Sequence, residues 1–464
     1  MNDRPRPWFR ELNRYHWFVL IVAALGWLFD TMDQQLFTLA RRPAMLELVG
    51  RQTSEGEVLS EKEKSDNLAE VNKYAGFATS IFLIGWASGG LFFGVLGDRI
   101  GRAKTMIWTI LIYSLFTGLS ALSVGFWDFA FYRFLTGLGV GGEFAVGVSL
   151  VAEVMPDHAR PYALGLLQAL SAVGNVSAAF ISMGMTHLGS TGTISSPWRV
   201  MFVVGTVPAL LALLIRRRLK EPERWQAVAA HEKPSHLGSY SDLFGDPRWR
   251  RNAIVGMLLA FAGVVGLWGI GFFSYDLIAT MLRDHFEAQG LSKAKIDASV
   301  GFWTGITSIV QNAGGFCGIY AFSVITHYTG RKPAFAVSFV AAMLSTAFVF
   351  AYIQEVSQIV WLIPIFIMGF CQLALFGGYA IYFPELFPTR LRSTGTSFCY
   401  NVGRFVAAIG PFTFGYLTSV VFADPTASAD VPMRYAGVSM CGIFLLGLAV
   451  LPFAPETKGQ PLPE

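Results

Sequence analysis

Charge is scarce in this sequence. Asp, Glu, Lys and Arg make up 14% of 464 residues, against about 25% in a soluble chain. With 53% apolar residues and a mean hydropathy of +0.48, that shortage excludes an ordinary soluble domain. Cysteine is scarcer still: Cys317, Cys371, Cys399 and Cys441 all lie inside apolar runs. Their spacing fits neither a disulfide framework nor a zinc site, so they read as small packing residues. No cleavable leader is visible, because residues 1–16 are basic and polar and the apolar run after them is too long. A phosphate-cradling loop, a nucleophile elbow and a metal-ligand cluster are missing as well. The sequence points away from an enzyme and implies no cofactor, no metal and no nucleic-acid partner.

What the chain does have is apolar runs near 17–40, 74–97, 104–124, 129–151, 161–187, 199–215, 253–282, 300–326, 333–353, 359–383, 393–421 and 434–453. Each approaches the ~20 residues that span a bilayer. The expectation is an all-α membrane protein of twelve transmembrane helices. Two six-helix bundles, 1–215 and 252–464, would be joined by a linker at 216–251. Basic residues mark alternate connections: Arg4 to Arg14, Arg99 to Lys104, Arg160, Arg216 to Lys220, Arg331-Lys332, Arg390-Arg392 and Lys458. Short basic connections stay inside. Both termini are therefore expected in the cytoplasm, with 41–73 and 283–297 outside. The lipid bilayer of the plasma (inner) membrane is the expected location, and a monomer the expected state.

The two halves repeat one pattern. Glu153-x-x-Pro156-x-x-x-Arg160 returns as Glu385-x-x-Pro388-x-x-x-Arg392, an offset of 385 − 153 = 232 that also relates Gly137 to Gly369. A parallel repeat of this kind implies a pseudo-two-fold axis along the membrane normal and a site at the midplane between halves.

Several stretches carry a family resemblance. Gly94-Val-Leu-Gly-Asp98-Arg-Ile-Gly101-Arg102-Ala-Lys104 resembles the loop signature of the major facilitator superfamily. Its second copy keeps Gly330-Arg331-Lys332 but has His327 in place of the aspartate. Asp30-Thr-Met-Asp33, Gly141-Gly-Glu143 and Gly403-Arg404 with Gly410-Pro411 are similar to the aromatic acid, monocarboxylate and sialate proton symporters. Pro455-Glu-Thr-Lys458-Gly is similar to the sugar-porter tail, but Gly266-Leu-Trp-Gly-Ile-Gly lacks those porters' glutamine pair. The resemblance implies alternating access, with protons and a small molecule as partners. Its aromatic acid members use the counterpart of Asp30 for coupling.

The polar residues inside the spans then take expected roles. A bare charge near the bilayer centre costs about 2.5–3.5 kcal/mol on insertion scales, so each needs a partner or a job. Asp30 and Asp33 share one face of the first helix, with Gln34 beside them. Two carboxylates so close cannot both ionise cheaply, which suits one of them to carry a proton. Arg133 opens a glycine-rich run on the fourth helix, at a depth that fits a pair with Asp30. Glu143, ten residues on, is either a second proton site or bonded to a neighbouring helix. Arg404 lies near the midplane with no acid beside it on the second-half helices, so its fork is expected to hold a substrate carboxylate. Tyr400 and Asn401 share its face. Trp27, Gln168, Asn175, Trp268, Gln311, Asn312, Gln372 and Tyr379 are further candidates for the cavity wall. Asp98 with Arg102, Glu153 with Arg160 and Glu385 with Arg392 are expected gate pairs at the inner loops. The reading is a proton-coupled symporter of a small organic anion. A sugar or polyol symporter is the alternative, and a non-transporting sensor ranks last.

Overall fold

Hydrocarbon offers a backbone no water, so apolar runs of this length must satisfy their own N–H and C=O groups, and a helix does so internally. The structure is a computed structural model. It describes residues 7–50, 61–210, 218–271, 273–354, 356, 359–407, 409–422, 428 and 430–464. Among these residues every regular element is helical. In the first half they are α1 (Arg14–Leu48), α2 (Glu61–Ile100), α3 (Arg102–Ser120), α4 (Phe126–Val154), α5 (Arg160–Ser190) and α6 (Pro197–Val204). Asn13 starts α1 by accepting a hydrogen bond from the His16 N–H at 2.8 Å. α1 and α2 extend well into the polar stretch 41–73, which the sequence suggested as an outer loop. Residues 51–60 of that stretch, the end of the sixth run from 211, and Arg4, Arg6, Arg216 and Arg217 lie outside the described residues.

The expected linker is folded. α7 (Glu223–His231) and α8 (Tyr240–Gly245) occupy it. Trp225 Nε1 donates to the Asp98 carbonyl at 2.8 Å, the Gly238 N–H to the Arg390 carbonyl at 2.8 Å, and the Tyr240 hydroxyl to the Leu91 carbonyl at 3.1 Å. α9 (Pro247–Val264) starts inside the stretch assigned to the linker. It runs through a π-helical segment, Val265–Gly271, to α10 (Phe273–Ala288). The second half continues with α11 (Lys293–Thr329), α12 (Arg331–Tyr352), α13 (Leu362–Glu385), α14 (Arg392–Ala407), α15 (Ile409–Tyr416), α16 (Asp430–Met440) and α17 (Ile443–Val450). Nine segments of the described chain are long and apolar enough to cross a bilayer. The third, sixth and eleventh expected crossings fall on α3, α6 and α14–α15, which do not meet that measure among the described residues.

Glycine sets how closely the helices approach. A Cβ on Gly137 or Gly141 of α4 would collide with the backbone of α2 at Phe82 and Trp86. Gly85 and Gly89 of α2 return the contact onto the Phe134 and Leu138 carbonyls. The second half repeats the joint: Gly314 and Gly318 of α11 press on the Phe366 and Phe370 carbonyls of α13, and Gly369 on the Gln311 carbonyl. The ends repeat too. Gly101 (φ +111°) breaks α2 from α3, and Gly330 (φ +98°) breaks α11 from α12. Arg102 then meets Glu153 at 2.8 Å, and Arg331 meets Glu385 at 2.7 Å. These copies obey two offsets, 331 − 102 = 229 and 385 − 153 = 232. Two glutamates also match. Glu221 accepts the Ala103 and Lys104 N–H groups at 3.1 and 3.0 Å, capping α3. Glu456 accepts those of Arg331 and Lys332 at 2.9 and 3.0 Å, capping α12. Partial burial pushes the Glu456 carboxyl up, but the N–H groups of Arg331, Lys332 and Lys458 outweigh it and hold it below the usual range.

Candidate functional site

α1 and α4 bring the first-half charges together. Asp33 is fully buried; its Oδ1 accepts from Thr117 Oγ1 at 2.7 Å and its Oδ2 lies 3.8 Å from Arg133 Nη1. Arg133 also donates to Ser120 Oγ and Thr136 Oγ1, each at 3.0 Å, and covers the Phe202 ring at 4.6 Å. The sequence suggested Asp30 as its partner, and the structure corrects this. Three residues further along α1, Asp33 is ~4.5 Å nearer the helix end where α4 begins, and it is turned ~60° around the axis. Asp30 points elsewhere. It is buried, Gln34 Nε2 reaches its Oδ2 only at 3.5 Å, and its Oδ1 has no partner. Glu143 accepts from Thr109 Oγ1 at 2.5 Å, while its Oε1 is unpartnered and fills the space left by Gly26. Gly26 is one helical turn before Asp30, so this gap in α1 seats Glu143 beside Asp30. The carboxylate pair of interest thus spans α1 and α4.

Arg404 rises from α14 to the same region. It is 8% exposed, its Nε and Nη1 have no hydrogen-bond partner, and no ion pair among the described residues reaches it. Its guanidinium is held between two rings, 3.8 Å from the Trp86 centroid and 4.4 Å from that of Tyr400. Tyr400 stacks on Phe144 at 3.8 Å, Phe144 meets Trp27 at 4.9 Å, and Trp86 meets Trp268 at 6.4 Å. Trp27 Nε1, Gln168 Oε1, both polar atoms of Gln311 and Gln372 Oε1 are buried and unpartnered. Burying polar atoms in this state costs roughly 1–3 kcal/mol each unless something fills the site.

Other candidates are committed to the scaffold. The Tyr379 hydroxyl donates to the Leu259 carbonyl at 2.7 Å, and Gln372 Nε2 to Thr346 Oγ1 at 2.7 Å. Asn175 Nδ2 donates to Asn312 Oδ1 at 3.0 Å, joining α5 to α11. Asn401 Nδ2 turns away from Arg404, toward the Ser397 carbonyl at 3.0 Å. Trp86 is the residue that sequence reasoning missed. Its signal was its place on the same face of α2 as Gly90, Gly94 and Gly97, which all abut α14.

The arginine-rich end of the bundle, expected to face the cytoplasm, is locked across the two halves. Asp98 Oδ2 accepts the Thr394 N–H at 2.8 Å and Thr394 Oγ1 at 2.6 Å, and Oδ1 accepts the Ser393 N–H at 3.1 Å. A carboxylate at the start of α14 suits the positive end of that helix. Arg102 stands 3.1 Å from Asp98 and donates to the Thr389 carbonyl at 2.7 Å. Glu153 pairs with Arg102 and, at 2.7 Å, with Arg392 from the other half. The expected pairs Glu153–Arg160 and Glu385–Arg392 do not form. Arg160 Nε donates instead to the Ala152 carbonyl at 2.9 Å, and Arg392 Nε to the Pro384 carbonyl at 3.0 Å. Each arginine folds back to satisfy the carbonyls that its preceding helix leaves open. The neighbouring glutamates are then free for Arg102, Arg392 and Arg331. Arg392 Nη2 also donates to the Pro463 carbonyl at 3.1 Å, where the tail borders a cavity of about 920 Å³ lined by Arg248, Arg251 and Leu462.

A helical bundle with unpartnered polar groups buried at its centre and one end locked across two repeated halves is a membrane transporter rather than an enzyme. The chain belongs to the Major Facilitator Superfamily, whose family model matches residues 67–411. It is 29% identical to a putative metabolite transport protein of Haemophilus influenzae, over 97% of this chain and 99% of that one. It is 29% identical to the cis,cis-muconate transport protein of Acinetobacter baylyi, over 76% and 80%. Its fold matches the solved proton:xylose symporter XylE with a TM-score of 0.71 at 18% identity, over 97% and 98%.

Proposed function

We propose that this protein is a proton-coupled symporter that carries a small organic anion, such as a monocarboxylate or an aromatic acid, by alternating access. The observation behind the reading is Arg404: buried, with two guanidinium nitrogens unpartnered and no carboxylate in ion-pair range among the described residues. A guanidinium left so costs several kcal/mol unless an anion arrives, and its planar fork fits a carboxylate. Trp27, Gln168 and Gln311 supply further open polar atoms for the cargo. The cargo named for one relative, cis,cis-muconate, is itself a carboxylate. Asp30 takes the proton. It shares a low-dielectric site with Glu143 and feels Arg404, so cargo and proton alter each other's electrostatic cost. Asp33 and Arg133 hold α1 and α4 in register around it. Asp98, Arg102, Glu153 and Arg392 form the gate, while the halves 1–215 and 252–464 rock about the site. The protein acts as a monomer in the plasma (inner) membrane, with the arginine-rich end and both termini in the cytoplasm.

The test is uptake into proteoliposomes under an imposed proton gradient, with a panel of organic acids and sugars. Acid uptake is expected, and Arg404→Ala is expected to reduce it at least 100-fold. Sugar uptake indifferent to Arg404 would overturn the reading in favour of a sugar or polyol symporter. Asp30→Asn should keep exchange of cargo and lose accumulation against the gradient. Unchanged accumulation would remove Asp30 from the coupling.

A further inference from the structure

α2 and α14 meet across the two halves as an antiparallel ladder. Counting from the arginine-rich end, Asp98 bonds Thr394 and Gly94 lies against Ser397. Gly90 then lies against Asn401, its carbonyl accepts from Ser397 Oγ, and Trp86 covers Arg404. The steps are 98, 94, 90, 86 on one helix and 394, 397, 401, 404 on the other. Each is close to one turn, so the same faces stay in contact from the gate to the membrane centre. Trp86 and Arg404 each lie twelve residues, ~18 Å, from their gate partners Asp98 and Arg392. The gate and the candidate anion site are two ends of one zipped interface.

The repeat carries a second ladder, between α11 and α5. There Ser323 lies against Gly165, and His327 meets Tyr162 with ring centroids 5.4 Å apart. The positions matching Trp86 and Arg404 are Gly315 (86 + 229) and Ala172 (404 − 232). No ring and no cation stand there. The stack at the membrane centre belongs to one interface only.

We propose that Trp86 is a state-dependent positioning residue. It holds the Arg404 guanidinium flat and aimed into the site only while α2 and α14 are zipped. Opening the arginine-rich end unzips the ladder, withdraws the ring and loosens the grip on cargo at the face where it must leave. A cation over an indole face gains most when desolvated, as it is here. Tyr400 travels with Arg404 on α14, so it cannot supply this difference between states; Trp86, on the opposite half, can.

This rests on the organic-anion reading, so the experiment separates the two. The probe is cis,cis-muconate, with Arg404→Ala as the control for that reading and Trp86→Leu and Trp86→Phe for the present one. Trp86→Leu is expected to raise the KM at the far face about tenfold while the KM at the arginine-rich face moves less than twofold. Trp86→Phe should fall between wild type and Trp86→Leu. An equal rise at both faces, or no rise, overturns the proposal. Should Arg404→Ala leave uptake intact, the anion reading fails, and a cargo-free readout judges the rung. In that readout Ser397→Cys, on a background without the four natural cysteines, is labelled with maleimide. Faster labelling in Trp86→Leu than in Trp86→Phe supports the rung; equal labelling overturns it.

Discussion

The α2–α14 and α5–α11 interfaces both join the halves, and they are built from the same parts differently assigned. Both close on a serine facing a glycine, Ser397 on Gly94 and Ser323 on Gly165, with the order exchanged. Next to that contact they diverge. Asp98 of α2 reaches the N–H groups of Ser393 and Thr394 at the start of α14. His327 of α11 meets His158 and Tyr162 ring to ring at 5.1 and 5.4 Å. Pro161 stands where Ser393 stands in the other ladder, and proline has no N–H to give. Towards the membrane centre, one ladder ends in Trp86 and Arg404, the other in a neutral Asn175–Asn312 hydrogen bond. The scaffold is duplicated but the work is not. The acid–arginine contacts sit in the α2–α14 interface, while α5–α11 closes with imidazole and phenol rings and an amide pair.

The largest test of this contrast is at the gate. Asp98→Asn removes a buried charge that meets Arg102 and a helix start, and should destabilise the closed end by about 3 kcal/mol. His327→Ala should cost under ~1 kcal/mol. Maleimide labelling of Ser397→Cys reads both; equal acceleration by the two variants would erase the difference between the ladders. The neutral centre comes next. Asn175→Leu should cost roughly 0.6 kcal/mol, the usual scale for a hydrogen bond between membrane helices, with transport rate changed less than twofold. A loss as large as that of Arg404→Ala would mean that the neutral ladder carries cargo as well.

The smallest effect is expected at the Glu456 cap. Removing a carboxylate from a helix start costs about 0.3–1 kcal/mol, so Glu456→Gln should lower the thermal midpoint by a degree or so at pH 7. Because the folded carboxyl is held below its usual range, its contribution is complete above the unfolded value of about 4.3 and fades as pH falls through the folded one. Glu456→Gln and wild type should therefore converge once the pH has fallen below that folded value. A deficit that persists there would place the effect in packing rather than charge.

Much of this was legible in the chain itself. Apolar length forced helices, and the Glu-Pro-Arg repeat revealed the duplicated half. Arg404 was legible as a charge without an acid because depth along a helix follows from counting. Partners across helices were not. Asp30 and Asp33 differ by less than one turn, so only the packed rotation of α1 against α4 decides which one meets Arg133. Glu153 and Arg160 sit at a spacing that invites a pair, yet the bend at Pro156 sends the arginine back to the Ala152 carbonyl. Trp86 was missed because its role depends on a contact across helices: three glycines on its face meet α14 only in the packed bundle.

The bond from Arg392 to the Pro463 carbonyl has a practical side. Any bulky group attached close to Pro463 would drag on a guanidinium already engaged with Glu153, and so on the seal between the halves.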